Sequence, residues 1–253
     1  PDRIRIIAPD VGGGFGMKGF AYPEELFATW AALHLKRDVR WIATRSEEFL
    51  SAAHGRGLTS RGRLALDAEG KFLALEARID APVGGWIAGT GLMPAFNAGR
   101  ILPSGYVIPA LDIETQVHSH PTPPVAIYRG AGRPEANVIL ERLIDEAAAV
   151  TGRDPLELRK QNLVPVSAMP HDTATGNHLD SGDYAAALDA FAAAAVLDGL
   201  RARRDAIRAD GGIAGLGVAF YVDPSAAGWE YARVTLNADG TAHIATGATQ
   251  QGH

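Results

Sequence analysis

The 253-residue sequence has no cysteine, so disulfides, thiolate metal sites and iron–sulfur ligation by this chain are all excluded. No run of 18 apolar residues occurs, so no segment of the sequence reads as a transmembrane helix. There is no clustered basic face of the kind that nucleic acid or an anionic membrane surface requires, and the net charge is -5. The densest basic stretch, RARRDAIR at Arg201 to Arg208, is offset by neighbouring acids and reads as a solvated helix face. Also missing are a G-x-S-x-G elbow and an H-E-x-x-H helix, which leaves hydrolase readings without a starting point. The start, PDRIRIIAP, holds neither an initiating Met nor a signal-peptide core, and the end, TGATQQGH, stops in mid-loop. These features predict a fragment of a longer, cytoplasmic polypeptide, with the periplasm left open.

What is present is ordinary for a globular protein: 47% hydrophobic and 21% charged residues, enough chain to bury a proper core. Ile4 to Ala8, Val39 to Thr44 and Tyr106 to His118 predict strands, and the alternation from Leu58 to Val83 across Ala68 to Gly70 predicts a long hairpin. Helices are predicted from Tyr22 to Leu35, Arg45 to Ala53 and about Pro134 to Thr151. Another follows Asp154, with Pro155 at its first position and Glu157 in capping-box spacing, and two alanine-rich helices fill Tyr184 to Ala209. Gly84 to Pro103 and His171 to Gly182 predict loops. GIAGLGVAFYV predicts a strand, followed by a hairpin turning at Asp239-Gly240. Strands segregate from helices, which predicts an α+β fold of mixed sheets with packed helices and a possible lobe boundary near 164–182.

Two loops carry the chemistry. The first, DVGGGFGMKG from Asp10 to Gly19, spells G-x-G-x-x-G at Gly14, Gly16 and Gly19, the pattern of a dinucleotide-binding turn. That turn needs a helix beginning inside the glycines. Such a helix would carry Pro23 in its second turn, at a cost of roughly 3 kcal/mol. Pro23 instead suits the first turn of a helix opening at Tyr22, which leaves Pro9 to Ala21 as a glycine-dense loop. No Gly-Lys-Ser/Thr triplet makes it a P-loop. Its backbone N–H groups, with Phe15 and Lys18 among them, can form a nest for anionic or oxo groups. The second loop, AIYRGAGRPEAN from Ala126 to Asn137, sets Arg129 among small residues after the rigid PTPP of Pro121 to Pro124.

Together DVGGGFGMKG, YRGAGRPEA and the closing TGATQQGH resemble the molybdenum-binding large subunit of the xanthine dehydrogenase, aldehyde oxidase and aerobic carbon monoxide dehydrogenase family. RDPLELRKQNL resembles the segment that follows the arginine loop in many members. The resemblance implies that Gly13, Gly14, Phe15 and Gly16 lie at the cofactor and that Arg129, the catalytic candidate, sits with Gly130 and Ala131 beside the metal's substrate side. It implies a pterin contact at Gln250 or Gln251, where the usual Gly-Gln-Gly reads Thr-Gln-Gln-Gly-His. The implied cofactor is molybdenum with molybdopterin in its cytosine dinucleotide form, with FAD and 2Fe–2S centres on partner chains and no metal ligand from this one. The implied reaction is hydroxylation with water as oxygen source.

Departures from the family narrow the substrate. Purine-oxidising relatives carry a glutamate after the first loop's lysine, where this chain has Gly19, and a stacking phenylalanine two residues after the arginine, where it has Ala131. Relatives that oxidise carbon monoxide carry a copper-binding cysteine in the arginine loop. The expectation is therefore an aldehyde or a small heterocycle. The family's general-base glutamate falls in a motif beyond the residues given, and Glu24 and Glu25 read as first-turn carboxylates favoured by the helix dipole. His118, His120, His171 and His178 read as solvated groups with generic spacing. Two other readings stay open: an NAD(P)-dependent oxidoreductase using Gly14 to Gly19, and a non-catalytic structural lobe.

Overall fold

A computed structural model describes residues 3–7, 9–224 and 229–247. Pro23 opens helix α1 (Pro23–Leu35) at its first turn, with Tyr22 as the N-cap and Glu24 and Glu25 against the positive end of the dipole. The glycines before it lie outside the helix, so the helix that a dinucleotide turn requires does not exist here. Helix α2 (Arg45–Ser51) has a capping box between Thr44 and Glu47. The hairpin appears as β1 (Thr59–Leu66) and β2 (Phe72–Pro82), antiparallel with a register shift between Ala65 and Leu66.

Helix α3 (Met93–Arg100) occupies the stretch from Gly84 to Pro103, where the glycine and proline content predicts a loop. Pro94 sits in its first turn, where a missing N–H costs nothing, and the small residues Ala95 and Ala98 are buried against neighbouring elements. α3 makes the crossover to β3 (Ala110–His118), which pairs parallel to β2 and completes a three-stranded sheet in the order β1-β2-β3. Helix α4 (Arg133–Thr151) packs on the same face of the sheet. Leu75, Ala77, Tyr106, Leu140, Ile144 and Leu158 form the main core between sheet and helices.

Asp154 caps helix α5 (Pro155–Asn162) through bonds from the N–H groups of Leu156 and Glu157. The expected reciprocal capping box does not form: Glu157 turns instead to Lys160. The polar segment from His171 contains the two-residue strands β4 (His171–Asp172) and β5 (His178–Leu179). Helices α6 (Tyr184–Ala194) and α7 (Leu197–Ala209) follow, then the hairpin β6 (Ala232–Leu236) and β7 (Ala242–Thr246), turning at Asp239-Gly240. Arg201 and Arg204 in α7 pair with Asp154, Asp198 and Asp205, as a solvated basic face should.

Three predicted strands are absent. Residues 4–7, 39–44 and 213–222 are extended or irregular and form no ladder among the described residues, and Ile4, Ile6, Ile7 and Ile42 are exposed. A strand needs a paired edge for its backbone N–H and C=O groups. These segments are apolar, as a strand requires, but among the described residues no partner edge pairs with them. No helix among the described residues is long and apolar enough to cross a membrane.

Candidate functional site

The glycine loop and the arginine loop meet. The Arg129 N–H donates to the Phe15 carbonyl oxygen at 2.9 Å, between residues 114 positions apart in sequence. Together the two loops line a cavity of about 270 Å3, walled by Phe15, Gly16, Ile127, Tyr128, Arg129 and the small residues Gly130 and Ala131. Arg133 lines it as well.

Each loop is held from below. Tyr22, Ala53, Ala88 and Ala126 form a small separate core under the glycine loop, with Phe20 stacked on Tyr22 at 4.6 Å between ring centroids. The Tyr22 hydroxyl donates to the Met17 carbonyl and accepts from the Ala53 N–H, and burial pushes its pKa up. Lys18 pairs with Glu48 of α2 at 2.8 Å, so this cation is engaged within the fold. Upstream of Arg129, the Pro-rich turn is fixed by backbone bonds between His54 and Pro124, Ala126 and His54, and Val125 and Val83.

The backbone of the site is unusual. Gly13 and Gly16 have φ of 135° and 90°, and Phe15 between them lies at 52°. A Cβ on Gly16 would sit 3.1 Å from the Ile127 side chain and 3.2 Å from its carbonyl oxygen, so glycine is what lets the loops touch. Gly12 and Gly14 differ: a Cβ on Gly12 would meet nothing within 4 Å, and one on Gly14 only the Lys18 side chain. Packing inside this chain therefore does not account for glycine at either position, and the loop's outer backbone is open to a ligand.

Arg129 is exposed toward the cavity, and among the described residues its guanidinium makes no hydrogen bond or ion pair. Arg133, by contrast, pairs with Asp223 at 3.4 Å. Among the described residues no carboxylate lines the cavity. A nest of N–H groups beside a free guanidinium suits an anionic ligand rich in acceptors. Glu24 and Glu25 remain at the helix N-terminus, with Glu25 accepting the Tyr22 N–H. Gln250 and Gln251 lie outside the described residues.

The histidines do not gather: His118 bonds to Asp80 and His178 to Asp172, and no group of three metal-ligating side chains occurs among the described residues. Larger cavities of about 360 and 510 Å3 also occur among the described residues. One lies on the charged face of the sheet and the other beside β5, and neither includes a residue of the glycine loop or of Ala126 to Ala131.

Arg56 is the residue that motif reading missed. Its guanidinium donates to the carbonyl oxygens of Tyr128 and Arg129 and to Glu135, and lies 5.0 Å from the centre of the Tyr128 ring. A lone arginine before a hairpin carries no sequence signature. The available signal was Gly55 beside it, whose missing side chain admits Tyr128: a Cβ there would be 2.6 Å from the Tyr128 Cβ.

The sequence pattern of the molybdopterin cofactor-binding domain matches residues 1–163. The chain belongs to this family. Over 212 residues it is 34% identical to the carbon monoxide dehydrogenase large chain of Hydrogenophaga pseudoflava, covering 82% of this chain and 26% of that one. It is 29% identical over 256 residues to the 6-hydroxypseudooxynicotine dehydrogenase complex subunit gamma of Paenarthrobacter nicotinovorans, covering 99% of this chain and 32% of that one. Among solved structures it is similar to quinoline 2-oxidoreductase from Pseudomonas putida 86, with a TM-score of 0.92 and 30% identity over 96% of this chain and 33% of that one. It thus spans about a third or less of the length of these relatives. The α+β arrangement of small mixed sheets with packed helices is the fold of the molybdopterin-binding domain in that structure.

Proposed function

We propose that this chain forms part of a molybdenum-dependent hydroxylase that oxidises a small heterocycle or an aldehyde. The observation that carries the reading is the bond from Arg129 to Phe15, which closes an open glycine loop and an unpaired guanidinium around one cavity. The residues fit a molybdopterin: the N–H groups around Gly13, Gly14, Phe15 and Gly16 offer donors to an acceptor-rich anion, and Gly130 and Ala131 leave room beside Arg129. When bound, in the cytosine dinucleotide form, the cofactor supplies the two-electron oxidation, with water as oxygen source and electrons leaving through 2Fe–2S and FAD centres on partner chains.

This chain's own contribution is placement. Arg129 provides a positive charge that orients the cofactor or the bound substrate, and Phe15 and Ile127 give the cavity apolar walls. The pterin contact is assigned to Gln250 or Gln251, and the general base to a part of the enzyme outside this chain.

Relatives bearing the names quinoline 2-oxidoreductase and nicotine 6-hydroxylase support a heterocycle as substrate class. Two relatives are carbon monoxide dehydrogenase large chains, and one related structure is a Cu,Mo enzyme. With Gly130 after the arginine and no cysteine in the sequence, this chain has no thiolate to offer copper in the arginine loop.

Metal analysis and pterin fluorescence of the complex purified with its partner chains test the proposal. Molybdenum and pterin are expected in about equal amounts, and bound NAD(P) without molybdenum would overturn the reading in favour of a nicotinamide enzyme. Arg129→Ala should lower turnover by roughly 100-fold, the scale of losing one preorganised charge at a reacting centre, with a smaller change in molybdenum content. Unchanged turnover would remove Arg129 from the machinery.

A further inference from the structure

We infer that Arg56 is the positioning residue for Arg129, holding its peptide from the side opposite Phe15. The inference rests on the role proposed for Arg129; the geometry behind it does not. Arg129 is gripped at both ends of its backbone: its N–H donates to the Phe15 carbonyl, and its C=O accepts from Arg56 Nη2. The other nitrogen of the fork, Nη1, donates to the preceding carbonyl, that of Tyr128, at 3.3 Å and to Glu135 Oε1 at 3.4 Å. One guanidinium thus spans two successive carbonyls and a carboxylate in the first turn of α4, and its face lies on the Tyr128 ring.

Each part of this clamp has a cost that the bonds offset. Arg56 is held at φ 69°, a conformation that a non-glycine residue seldom adopts. Gly55 must lack a side chain for Tyr128 to approach. Glu135 keeps only 11% of its side-chain surface, and its Oε2 is buried without a hydrogen-bond partner among the described residues, so Arg56 supplies the countercharge. The loop beyond depends on this anchor because Gly130, Ala131 and Gly132 run consecutively at positive φ, at 91°, 46° and 92°. With the Arg129 carbonyl released, the bond to Phe15, the turn bonds from the N–H groups of Ala131 and Arg133, and Asn97 on the Ala131 carbonyl would be left to hold this run, which has no helix or strand of its own. Lysine keeps the charge and three donors, but all three sit on one nitrogen, so it cannot reach these acceptors from two separate nitrogens as the planar fork does.

Amide hydrogen exchange on the complex, read at residues 128–131, tests the clamp without requiring turnover. In Arg56→Ala, exchange at the Arg129 amide should rise at least about tenfold, as expected when a local bond opens, while amides of 139–148 in the core of α4 stay unchanged. Guanidinium chloride at millimolar concentration should reverse much of that rise by filling the vacated site, and Arg56→Lys should fall between wild type and Arg56→Ala. If the alanine variant does not fold, Arg56→Lys alone still decides, through the contrast between 128–131 and 139–148. Unchanged exchange at Arg129, an equal rise along all of α4, or no response to guanidinium would overturn the inference. Molybdenum content measured in the same wild-type sample separates the two readings: local protection by Arg56 in a protein devoid of molybdenum would refute the proposed function and leave the clamp standing.

Discussion

A methyl group on Gly132 would lie 1.9 Å from the carbonyl oxygen of Pro94, and the residue's φ of 92° already disfavours any side chain. The clash is with backbone at the start of α3, so no rotamer change relieves it. The neighbouring Ala131 carbonyl accepts from Asn97 Nδ2 at 2.9 Å, a second stitch between α3 and the arginine loop. Gly132→Ala must therefore move either α3 or the loop. We expect a loss of roughly 2–4 kcal/mol, from strain at positive φ and overpacking together. Urea denaturation measures it, and a midpoint unchanged from wild type would mean that the two elements are less tightly docked than these contacts require. Gly12 gives the opposite expectation from the same reasoning: with nothing near its Cβ position, Gly12→Ala should leave the urea midpoint close to that of wild type.

The elements around the site are tied together by one buried network. Glu141 of α4 accepts from Arg159 of α5 at 2.8 Å, from the Tyr106 hydroxyl at 2.7 Å and from the Phe220 N–H at 2.9 Å. Arg159 is fully buried; burial works against its charge, and the adjacent Glu141 carboxylate offsets this and holds its pKa up. Burial first, and then the Glu141 carboxylate, push the Tyr106 pKa well above its ordinary value. The sign of the linkage follows. The unfolded chain releases the phenol proton near pH 10, before the folded chain does, so the stabilisation is complete below about pH 10 and is lost as pH rises beyond it. Tyr106→Phe should cost about 1 kcal/mol at neutral pH, for the missing hydrogen bond, and should flatten the loss of stability between about pH 10 and 11. Parallel urea titrations at the two pH values check this, and equal slopes for both proteins would refute it.

Much of this element scale was legible in the sequence. Pro23 and Asp154 marked helix starts because their chemistry is local, and the hairpin of β1 and β2 announced itself by alternation. Helix α3 was hidden because its signal is small residues packed closely beside glycine and proline, which composition reads as loop. The extended segment 213–222 looked like a strand, but its polar groups find side chains instead: Phe220 bonds to Glu141 and Val222 to Ser104 Oγ. At the site, the two loops were legible as motifs because each concentrates glycine around one informative residue. Their contact, and Arg56 behind it, depend on tertiary approach that local pattern does not encode.

Across the whole chain the apolar surface is unevenly distributed. On α1, Leu26, Phe27, Trp30 and Leu33 are 65%, 62%, 58% and 76% exposed, while only Ala31 of that helix is buried. Ile4, Ile6, Ile7, Trp41 and Ile42 are also exposed in the segments before and after it. Scattered exposed apolar residues are normal, but apolar side chains concentrated in one stretch of chain mark a surface that binds something. Water contact over such a surface costs about 25 cal/mol for each Å2 that could be covered, which is enough to drive association at micromolar concentration. The 253-residue chain on its own should therefore self-associate and bind a hydrophobic dye. Changing Phe27 and Trp30 together to serine should reduce both effects, because neither ring belongs to the packed core: Trp30 stacks on His34 at 5.1 Å and meets Phe27 at 5.8 Å, both contacts within α1 itself. Sedimentation velocity with dye fluorescence checks it; a wild-type chain that stays monomeric and dye-free at tens of micromolar would show that this surface is too dispersed to act as one patch.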